Sequence, residues 1–477
     1  MKKITILTYL FIIFACFIST AQTTVYVSAS GGGDGTSESS PLGNFGNALN
    51  QITSEGDKLV IIGTISTQGI NLTSKSFAFT IEGLDASSTF EGDGGTSRLF
   101  TINGATSADV TFKNLTFLDN NTTLAGGGVL FNNNGGASVT FENCTFSGNS
   151  VTNGAGGGAI WFANGILNIT NSTFDSNSSS DEAGAIFGQS GTITITNTLF
   201  KSNSVPTKGG AIYALNADFN ITGSTFYDNV TTNTSGANGG AALYVAGAGS
   251  TNSITNCTFF QNRIGLPNNQ DYATIRTDNG TTTVINSLFY DNKTNNGEGS
   301  PADWGSGPNG TQTFNTSIAQ WISTNIDNQD EGTGSITGIK GGGGTPANLS
   351  ESNLTFNAAS GYVEYNTVDE GTDSPIDFGS DGNDVGAWNS GLTLSLDEVL
   401  KSNVSIYMNN DSKTIEINHD LDQSLSVKLF TILGSSVMEV KNVSKTAILN
   451  VNQLKTGVYI LVGKSSGKYF SKKLLIN

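Results

Sequence analysis

Short runs of apolar and hydroxyl-bearing residues alternate with glycine and asparagine turns along most of this chain. Seven segments share the pattern apolar, Thr, apolar, any residue, Asn, any residue, Thr or Leu, Phe, two further residues and a final Asn. Successive phenylalanines of this pattern are 26 to 33 residues apart. The phenylalanine and final asparagine of each segment are Phe117 and Asn120, Phe146 and Asn149, Phe174 and Asn177, Phe200 and Asn203, Phe226 and Asn229, Phe259 and Asn262, and Phe289 and Asn292.

Self-similarity at such a period indicates a solenoid, and alternation within short Thr, Ile, Val and Phe runs makes it a β-solenoid. The spacing predicts an all-β, right-handed parallel β-helix with three short strands in each coil. Inward Phe, Ile and Val should stack on their equivalents in the next coil. Asparagine at the corners tolerates left-handed backbone and can hydrogen-bond to its neighbour.

The segment before the repeats has the apolar spacing of a helix, followed by a strand. Phe45, Ala48, Leu49 and Ile52 recur at helical spacing, and residues 58–62 follow as an apolar strand. A solenoid needs a cap over its open hydrophobic end. We therefore predict a short capping helix before the first coil.

The first 21 residues are typical of a secretory signal peptide, with Lys2 and Lys3 before an apolar run and small residues before the cleavage point after Ala21. A membrane anchor is the alternative, although the run is short of the ~20 residues needed to span a bilayer. Lipoprotein processing at Cys16 is another. We expect export, and after cleavage only Cys144 and Cys257 remain. They occupy equivalent positions four repeats apart, which places the two residues roughly 19 Å from each other along the column. This separation is too large for a disulfide, so we expect buried, unbridged thiols.

Composition narrows the class of protein. The chain has 60 Gly but 7 Pro among 477 residues, which excludes a collagen-like or proline-rich disordered chain. Residues 23–395 carry a net charge of −22, whereas residues 396–477 carry +3. An acidic body of this size repels phosphate backbones, so we expect no nucleic-acid partner. The change of sign places a domain boundary near residue 395, after a body of residues 22–395 in which 296–395 closes the column.

Residues 396–477 contain several alternating runs separated by turns, which predicts a small C-terminal β-sandwich. The apolar run ending at Gly434, the segment with Gly457 and Tyr459, and the basic end with Lys472 and Lys473 resemble the type A C-terminal sorting domain of the type IX secretion system. The usual tyrosine-proline-asparagine-proline opening is missing, and residues 406–410 stand in its place. This resemblance implies passage through the periplasm, a partnership with the secretion machinery, and a body that is released or attached to the cell surface.

A second resemblance concerns the body. The Phe-x-x-Asn segments and a Gly-Gly-Ala-Ile-aromatic motif, seen at residues 157–161 and 209–213, resemble the passenger domains of polymorphic outer membrane proteins across residues 105–295. Those proteins are β-helical surface adhesins. Residues 300–305 and 374–388 resemble the end of β-helical proteins whose attachment signals differ. The repeats are specific for the fold and weak for an activity.

Candidate catalytic chemistry is sparse. The only histidine, His419, lies in the sorting region, which excludes a histidine-assisted hydrolase site in the body. Asp271, Arg276 and Asp278 form the best lyase-like group, because alternate strand positions place an acid and a base on one face. Isolated charges on a solvated face explain these residues equally well.

Two ligand sites are also candidates. Hard oxygen donors cluster in the closing region, where calcium is a possible cofactor; the four are Asp377, Asp381, Asn383 and Asp384. Turn-capping within the loop is the alternative. Trp161, Tyr213 and Tyr244 follow the glycine pairs and could stack on sugars, although we favour inward packing.

Three functions follow from these observations. We expect an exported, non-catalytic adhesin or glycan-binding protein, secreted or on the outer cell surface, with no transmembrane segment in the mature chain and a polysaccharide or host-surface ligand. A polysaccharide lyase or glycoside hydrolase is the alternative. An ice-binding face, suggested by Thr192, Thr194 and Thr196, is third. This threonine alternation is not sustained across coils, so the β-propensity of threonine explains it better.

Overall fold

We analysed a computed structural model of the chain. It describes residues 22–94, 96–104, 109–154, 156–232, 239–264, 273–290, 292–294, 302–315, 318–319, 354–357 and 362–365. In the C-terminal region it describes residues 404–409, 412–419, 425–431, 436–455, 457–465 and 468–476.

The body is a column of parallel coils bounded by three sheets. The first sheet contains two adjacent columns of strands. One column consists of Ile70–Asn71, Phe100–Asn103, Leu130–Asn133, Ile160–Phe162, Ile186–Gly188 and Ile212–Ala214. The other consists of Thr24–Ser28, Lys58–Ile62, Phe79–Gly83, Asp109–Lys113, Ser138–Glu142, Ile166–Thr170, Gly191–Thr196 and Ala217–Thr222. In later coils the two columns join as the single strands Leu243–Thr255, Ala273–Ile285 and Ala302–Asn315.

The other two sheets complete each coil. The second sheet consists of Thr64–Ser66, Thr89–Glu91, Thr116–Leu118, Thr145–Ser147, Thr173–Asp175, Leu199–Lys201, Thr225–Tyr227, Thr258–Phe260, Leu288–Tyr290 and Ile318–Ala319. The third sheet consists of Asn121–Thr122, Ser150–Val151, Ser178–Ser179, Ser204–Val205, Val230–Thr231, Arg263–Ile264 and Lys293–Thr294. Every strand pair within these three sheets is parallel, and each coil is hydrogen-bonded to the next. Thr145–Ser147, for example, pairs with Thr173–Asp175 in the following coil. The predicted parallel β-helix is confirmed.

A ladder of phenylalanine rings fills the interior of the column. Phe146 stacks on Phe174 with ring centroids 4.3 Å apart, and Phe200 stacks on Phe226 at 4.8 Å. The rings are fully buried because the strand alternation points each of them inward. The phenylalanines that recur in the sequence therefore form a continuous stack inside the hydrophobic core.

The two asparagines of each repeat have different roles. The first adopts left-handed backbone, as at Asn143 with φ of 52° and Asn197 with φ of 48°. The second is buried and extends a side-chain ladder, in which the Nδ2 of Asn149 donates to the Oδ1 of Asn177 at 2.9 Å. The left-handed asparagines also pair between coils, because the Nδ2 of Asn143 donates to the Oδ1 of Asn114 at 3.2 Å. Both predicted roles therefore occur at the first corner, and the second corner adds a buried ladder.

The predicted capping helix is confirmed as Phe45–Gln51. Asn44 caps its N-terminus by accepting a hydrogen bond from the backbone N–H of Asn47 at 2.9 Å. Phe45 packs edge-on against Phe90 with ring centroids 5.3 Å apart. The helix therefore covers the N-terminal end of the phenylalanine ladder.

The C-terminal region forms two antiparallel sheets, in agreement with the predicted small sandwich. One sheet consists of Val404–Asn409, Thr414–His419 and Thr446–Asn450. The other consists of Ser436–Val443, Leu425–Thr431, Gly457–Ser465 and Lys468–Ile476 in spatial order. Their shared core includes Ile415, Ile417, Leu429, Leu461 and Ile476. A separate antiparallel pair, Leu354–Asn357 with Tyr362–Tyr365, precedes this region in the sequence.

None of the helices among the described residues has the length and apolar character needed to cross a bilayer.

Candidate functional site

An unbroken row of aromatic side chains runs along the first sheet, outside the phenylalanine core. Each member follows an inward residue of its strand, so strand alternation turns it to the outer side. We call this set the outer aromatic row, and its members, paired from coil to coil, are Phe131, Trp161, Phe187, Tyr213 and Tyr244.

The rings of this row contact one another along the column. Phe131 and Trp161 are stacked with centroids 4.3 Å apart, and Phe187 lies 6.2 Å from Trp161. Tyr213 turns its ring edge-on to both Phe187 and Tyr244. The row is a hydrophobic cluster distinct from the main core. The expectation that Trp161, Tyr213 and Tyr244 pack into the solenoid interior is therefore wrong, because the inward positions belong to their strand neighbours.

Exposure differs along the row. Tyr213 and Tyr244 retain only 5% and 2% of their surface. Phe131 and Trp161 are partly exposed. Solvent therefore reaches the rings mainly at the N-terminal half of the row, which includes one of the three aromatic residues singled out from the sequence.

Polar residues accompany the row along the sequence. Asn164, Gln189 and Asn216 are exposed, and each lies shortly after a strand of the row. At the N-terminal end of the row the Arg98 guanidinium lies 4.0 Å from the centre of the Phe131 ring and donates to the carbonyl of Ala125 at 2.6 Å. Burial lowers the pKa of Arg98 from its usual value. The first ring of the row therefore contacts a guanidinium, a group that donates hydrogen bonds.

An ion pair lies beside the middle of the row. Lys208 Nζ is 3.7 Å from Glu182 Oε1 and lies 5.9 Å and 5.3 Å from the centres of the Tyr213 and Tyr244 rings. Burial raises the pKa of Glu182; Lys208 opposes this shift and Asp181 adds to it. Burial also raises the pKa of the Tyr213 phenol, and nearby carboxylates reinforce it. Tyr213 is therefore a neutral hydrogen-bond donor at ordinary pH.

The C-terminal end of the row holds two of the three lyase-like residues. Arg276 pairs with Tyr244 across adjacent strands, and its Nε donates to Asp278 Oδ1 at 2.5 Å. The hydroxyl of Tyr244 donates to the other oxygen of Asp278. Arg276 is only 4% exposed. Arg276 and Asp278 are thus in contact, at an irregularity in the strand register that leaves Asp278 without a partner position on the neighbouring strands. Asp271 lies outside the described residues.

The proposed calcium ligands, Asp377, Asp381, Asn383 and Asp384, all lie outside the described residues. Within the described part of the chain, no group of three or more His, Cys, Asp or Glu side chains forms a possible metal site.

The two cysteines of the described residues, Cys144 and Cys257, are free and buried, as expected for equivalent repeat positions. Burial raises the pKa of each thiol to about 12. The backbone N–H of Cys144 donates to the hydroxyl of Ser172 in the next coil at 3.1 Å. The thiols therefore pack in the column as small apolar groups.

The sorting residues occupy the four-stranded sheet of the C-terminal region. Gly457 and Tyr459 lie in the strand Gly457–Ser465, and the hydroxyl of the buried Tyr459 donates to the carbonyl of Lys455 at 2.9 Å. Lys472 and Lys473 lie in the final strand, where Lys472 is exposed. Gly434 lies outside the described residues.

Comparison with protein families agrees with this arrangement. Residues 100–299 match the family model of a right handed beta helix region, and residues 405–477 match that of a secretion system C-terminal sorting domain. The chain carries a right-handed β-helix body and a C-terminal sorting domain. The sorting domain, of the type IX system, makes this a secreted or cell-surface β-helix protein whose partner is the secretion machinery. No curated protein matches the chain.

Sequence reasoning missed several residues of the β-helix site. Phe131 and Phe187 belong to the outer aromatic row, yet only the tryptophan and tyrosines were singled out. The signal was present, because each follows an inward apolar residue at the same repeat position. Arg98, Lys208 and Glu182 could not be found this way, since they reach the row from preceding turns of the coil.

Proposed function

We propose that the β-helix body is a glycan-binding surface protein, with the outer aromatic row as its binding surface. The observation that carries this proposal is the partly exposed, stacked pair of Phe131 and Trp161, with the Arg98 guanidinium over the Phe131 ring. Aromatic rings combined with a few convergent polar groups are typical of small-molecule sites. Sugars offer apolar C–H edges to such rings and hydroxyls to amides and guanidinium groups.

A retention experiment tests this function. The chain without its signal peptide is run on native gels containing neutral or acidic polysaccharides, and its mobility is compared with that in a plain gel. Slower migration in one polymer is expected, and Trp161→Ala should abolish it while Trp161→Phe keeps part of it. Leu118→Ala, on the second sheet, is the matched control. Unchanged mobility of the wild-type chain in every polymer would contradict glycan binding.

A polysaccharide lyase remains the second candidate, favoured by the contact between Arg276 and Asp278. In such a reaction a base removes the proton next to the uronate carboxyl group, and the glycosidic oxygen leaves as the new double bond forms. Arg276 would serve as that base, although its burial restricts access. Release of unsaturated products from an acidic polysaccharide, with or without calcium and lost in Arg276→Ala, would support it.

We also propose that Lys472 and Lys473 are contacted by the secretion machinery. They lie in the last strand of the sorting domain, paired with Leu461 and Ile460. Replacing both by glutamate should leave the chain in the periplasm, measured by cell fractionation. Lys428→Glu, an exposed lysine on the same sheet, is the control. Normal surface delivery of the double variant would show that these lysines only solvate the strand end.

A further inference from the structure

The outer side of the first sheet carries a second regular surface beside the outer aromatic row. It lies on the strands from Ile166–Thr170 onward, and it consists of three parallel rows that run from coil to coil. We call it the threonine face. Its rows are Ile166, Thr192, Asp218, Thr251, Thr281 and Thr311; Asn168, Thr194, Asn220, Ser253, Thr283 and Thr313; and Thr170, Thr196, Thr222, Thr255 and Ile285.

The register corrects the sequence-based view of these threonines. The sequence alone predicts that the alternation of Thr192, Thr194 and Thr196 is not sustained across coils. Strand pairing shows that Thr196 is followed by Thr222 and Thr255, so the third row is unbroken through these coils. The insertion before the strand Leu243–Thr255 hid this continuity.

All members of the threonine face point away from the core. Their strand neighbours Ile193, Ile195 and Ile254 are completely buried, whereas Thr222 and Thr251 are exposed. The remaining threonines of the face are partly exposed. Their hydroxyl and methyl groups therefore meet solvent rather than contribute to the hydrophobic core.

Sheet geometry spaces these groups in two directions. Neighbouring coils of a parallel sheet lie roughly 4.8 Å apart, and outward residues of one strand lie roughly 6.6 Å apart. The face is thus a two-dimensional lattice and not a single stripe, and eleven of its seventeen positions are threonines, which carry a hydroxyl and a methyl group. Such a lattice can hold water molecules at repeating positions, as the surface of an ice crystal does. A dissolved polymer offers no matching repeat in the second direction.

Charge and composition also favour a neutral, crystalline ligand. Asp218 is the only charged member of the three rows in the coils described above. Two ion pairs of this sheet, Lys58 with Glu82 and Lys113 with Glu142, lie in earlier coils. A third, Arg276 with Asp278, lies at the end of the outer aromatic row and not in the three rows of the threonine face. The rows hold no aromatic ring for sugar stacking. This combination differs from the outer aromatic row, where rings and charges are mixed.

We propose that the threonine face binds ice. Ordered water on the threonine lattice would join the crystal surface, so that the protein stops local growth of the crystal. The proposal concerns a different surface from the glycan site and does not depend on it.

The test uses the chain without its signal peptide, with the sorting domain retained. Thermal hysteresis, the gap between the melting and growth temperatures of a single ice crystal, is measured together with crystal shape. The wild type should show hysteresis and faceted crystals. Thr196→Lys and Thr222→Lys should remove most of the hysteresis, because a lysine on the face prevents close approach to a flat crystal. Thr145→Lys, a partly exposed threonine on the second sheet, should retain it.

Further measurements keep the result interpretable. Circular dichroism must show the same thermal midpoint for all three lysine variants, and Thr194→Ser provides a milder change that removes only a methyl group. Round crystals and no hysteresis with the wild type would overturn the proposal. Hysteresis equally reduced by Thr145→Lys would overturn it too, as would wild-type binding to crystalline cellulose or chitin without hysteresis. Self-association through the face, seen by sedimentation as a dimer that Thr196→Lys dissolves, also counts against ice binding.

Discussion

The side-chain amide of Asn149 donates to the side-chain oxygen of Asn177 at 2.9 Å, and the backbone N–H of Asn149 donates to the same oxygen at 3.1 Å. Asn177 repeats this pair of bonds with Asn203. The side-chain oxygen of each asparagine therefore accepts hydrogen bonds from the preceding coil, and its backbone and side-chain N–H groups donate to the following coil. The side-chain amide also donates to a phenylalanine carbonyl of the preceding coil. Since these groups are buried, the ladder links the coils without any disulfide.

Asn177→Ala should destabilise the body strongly. It leaves both donors of Asn149 and the carbonyl of Phe146 without their partner in a buried site. Unsatisfied buried groups cost about 1–3 kcal/mol each, and we expect a loss of about 3 kcal/mol in the free energy of unfolding. The measurement is the urea midpoint followed by circular dichroism. Asn168→Ala, on the outer side, should change it by less than about 0.5 kcal/mol; equal shifts for both variants would contradict a role for the ladder.

The left-handed corner gives a different prediction. Asn197 has φ of 48°, and Gly223 occupies the same position one coil later with φ of 60°. Asn197→Gly should therefore be nearly neutral. Asn197→Val should lower the thermal midpoint, because a β-branched residue in this conformation costs about 1–2 kcal/mol or more. A valine variant as stable as the glycine variant would show that the corner relaxes to another backbone conformation.

Much of this architecture could be predicted from the sequence, because the inward phenylalanines and the buried asparagines both recur periodically. The inward Phe146 and Phe174, and the Asn149 and Asn177 that follow them, recur at one spacing, so their stacking could be predicted. The capping helix was predictable from the apolar spacing that begins at Phe45. In each case the residues that interact occupy equivalent positions of neighbouring repeats.

The outer aromatic row and the threonine face were harder to predict, because they depend on the register between coils of unequal length. The sequence indicated Trp161 and Tyr213 as aromatic candidates. Their outward direction depends on which residues of each strand face the core, and only the structure shows this. Lys208 contacts Tyr213 from the turn that precedes the strand of Tyr213. No periodic pattern in the sequence predicts this contact. Thr196 and Thr255 join one row although an insertion separates their repeats.

Asp57 should control the stability of the N-terminal cap. Its carboxylate accepts hydrogen bonds from the backbone N–H groups of Thr23, Thr53 and Ser54 at 2.8–2.9 Å. These hydrogen bonds connect the start of the first strand, at Thr23, with the segment that follows the capping helix, at Thr53 and Ser54. Asp57→Ala should lower the free energy of unfolding by about 3 kcal/mol, since three backbone donors lose their acceptor. Asp85→Ala, at an exposed turn, is the matched control; a cap equally stable in both variants, by proteolysis and thermal midpoint, would contradict this role.

The contribution of Asp57 should depend on acid pH. Burial acts to raise the pKa of this carboxyl group, but the backbone hydrogen bonds prevail and hold it below its ordinary value. A lowered pKa stabilises the fold above the unfolded value of about 4, and this contribution is lost as pH falls toward the folded value. Asp57→Asn lacks this titration. The difference in thermal midpoint between wild type and Asp57→Asn should therefore narrow below pH ~4, and a constant difference would argue against it.

The buried thiols should make the free energy of unfolding depend on pH in the alkaline range, where the stability falls as pH rises. Burial raises the pKa of Cys144 and Cys257 to about 12, well above the value of about 8.5 for an unfolded cysteine. Between these values the unfolded chain loses thiol protons while the folded chain keeps them. Stability is fully present below the unfolded pKa and falls as pH rises, by about 1.4 kcal/mol per pH unit for each thiol.

Removing one thiol should make that slope shallower. Cys144→Ala costs some packing at every pH, yet its free energy of unfolding should fall less steeply between pH ~9 and ~11 than that of the wild type. Cys257→Ala serves as the matched variant in an equivalent position of another coil and should give the same change of slope. Iodoacetamide should leave both thiols of the native chain unmodified at pH ~8 and modify both after unfolding. Rapid modification of the native chain, or identical slopes for wild type and variants, would mean that solvent reaches the thiols within the folded column.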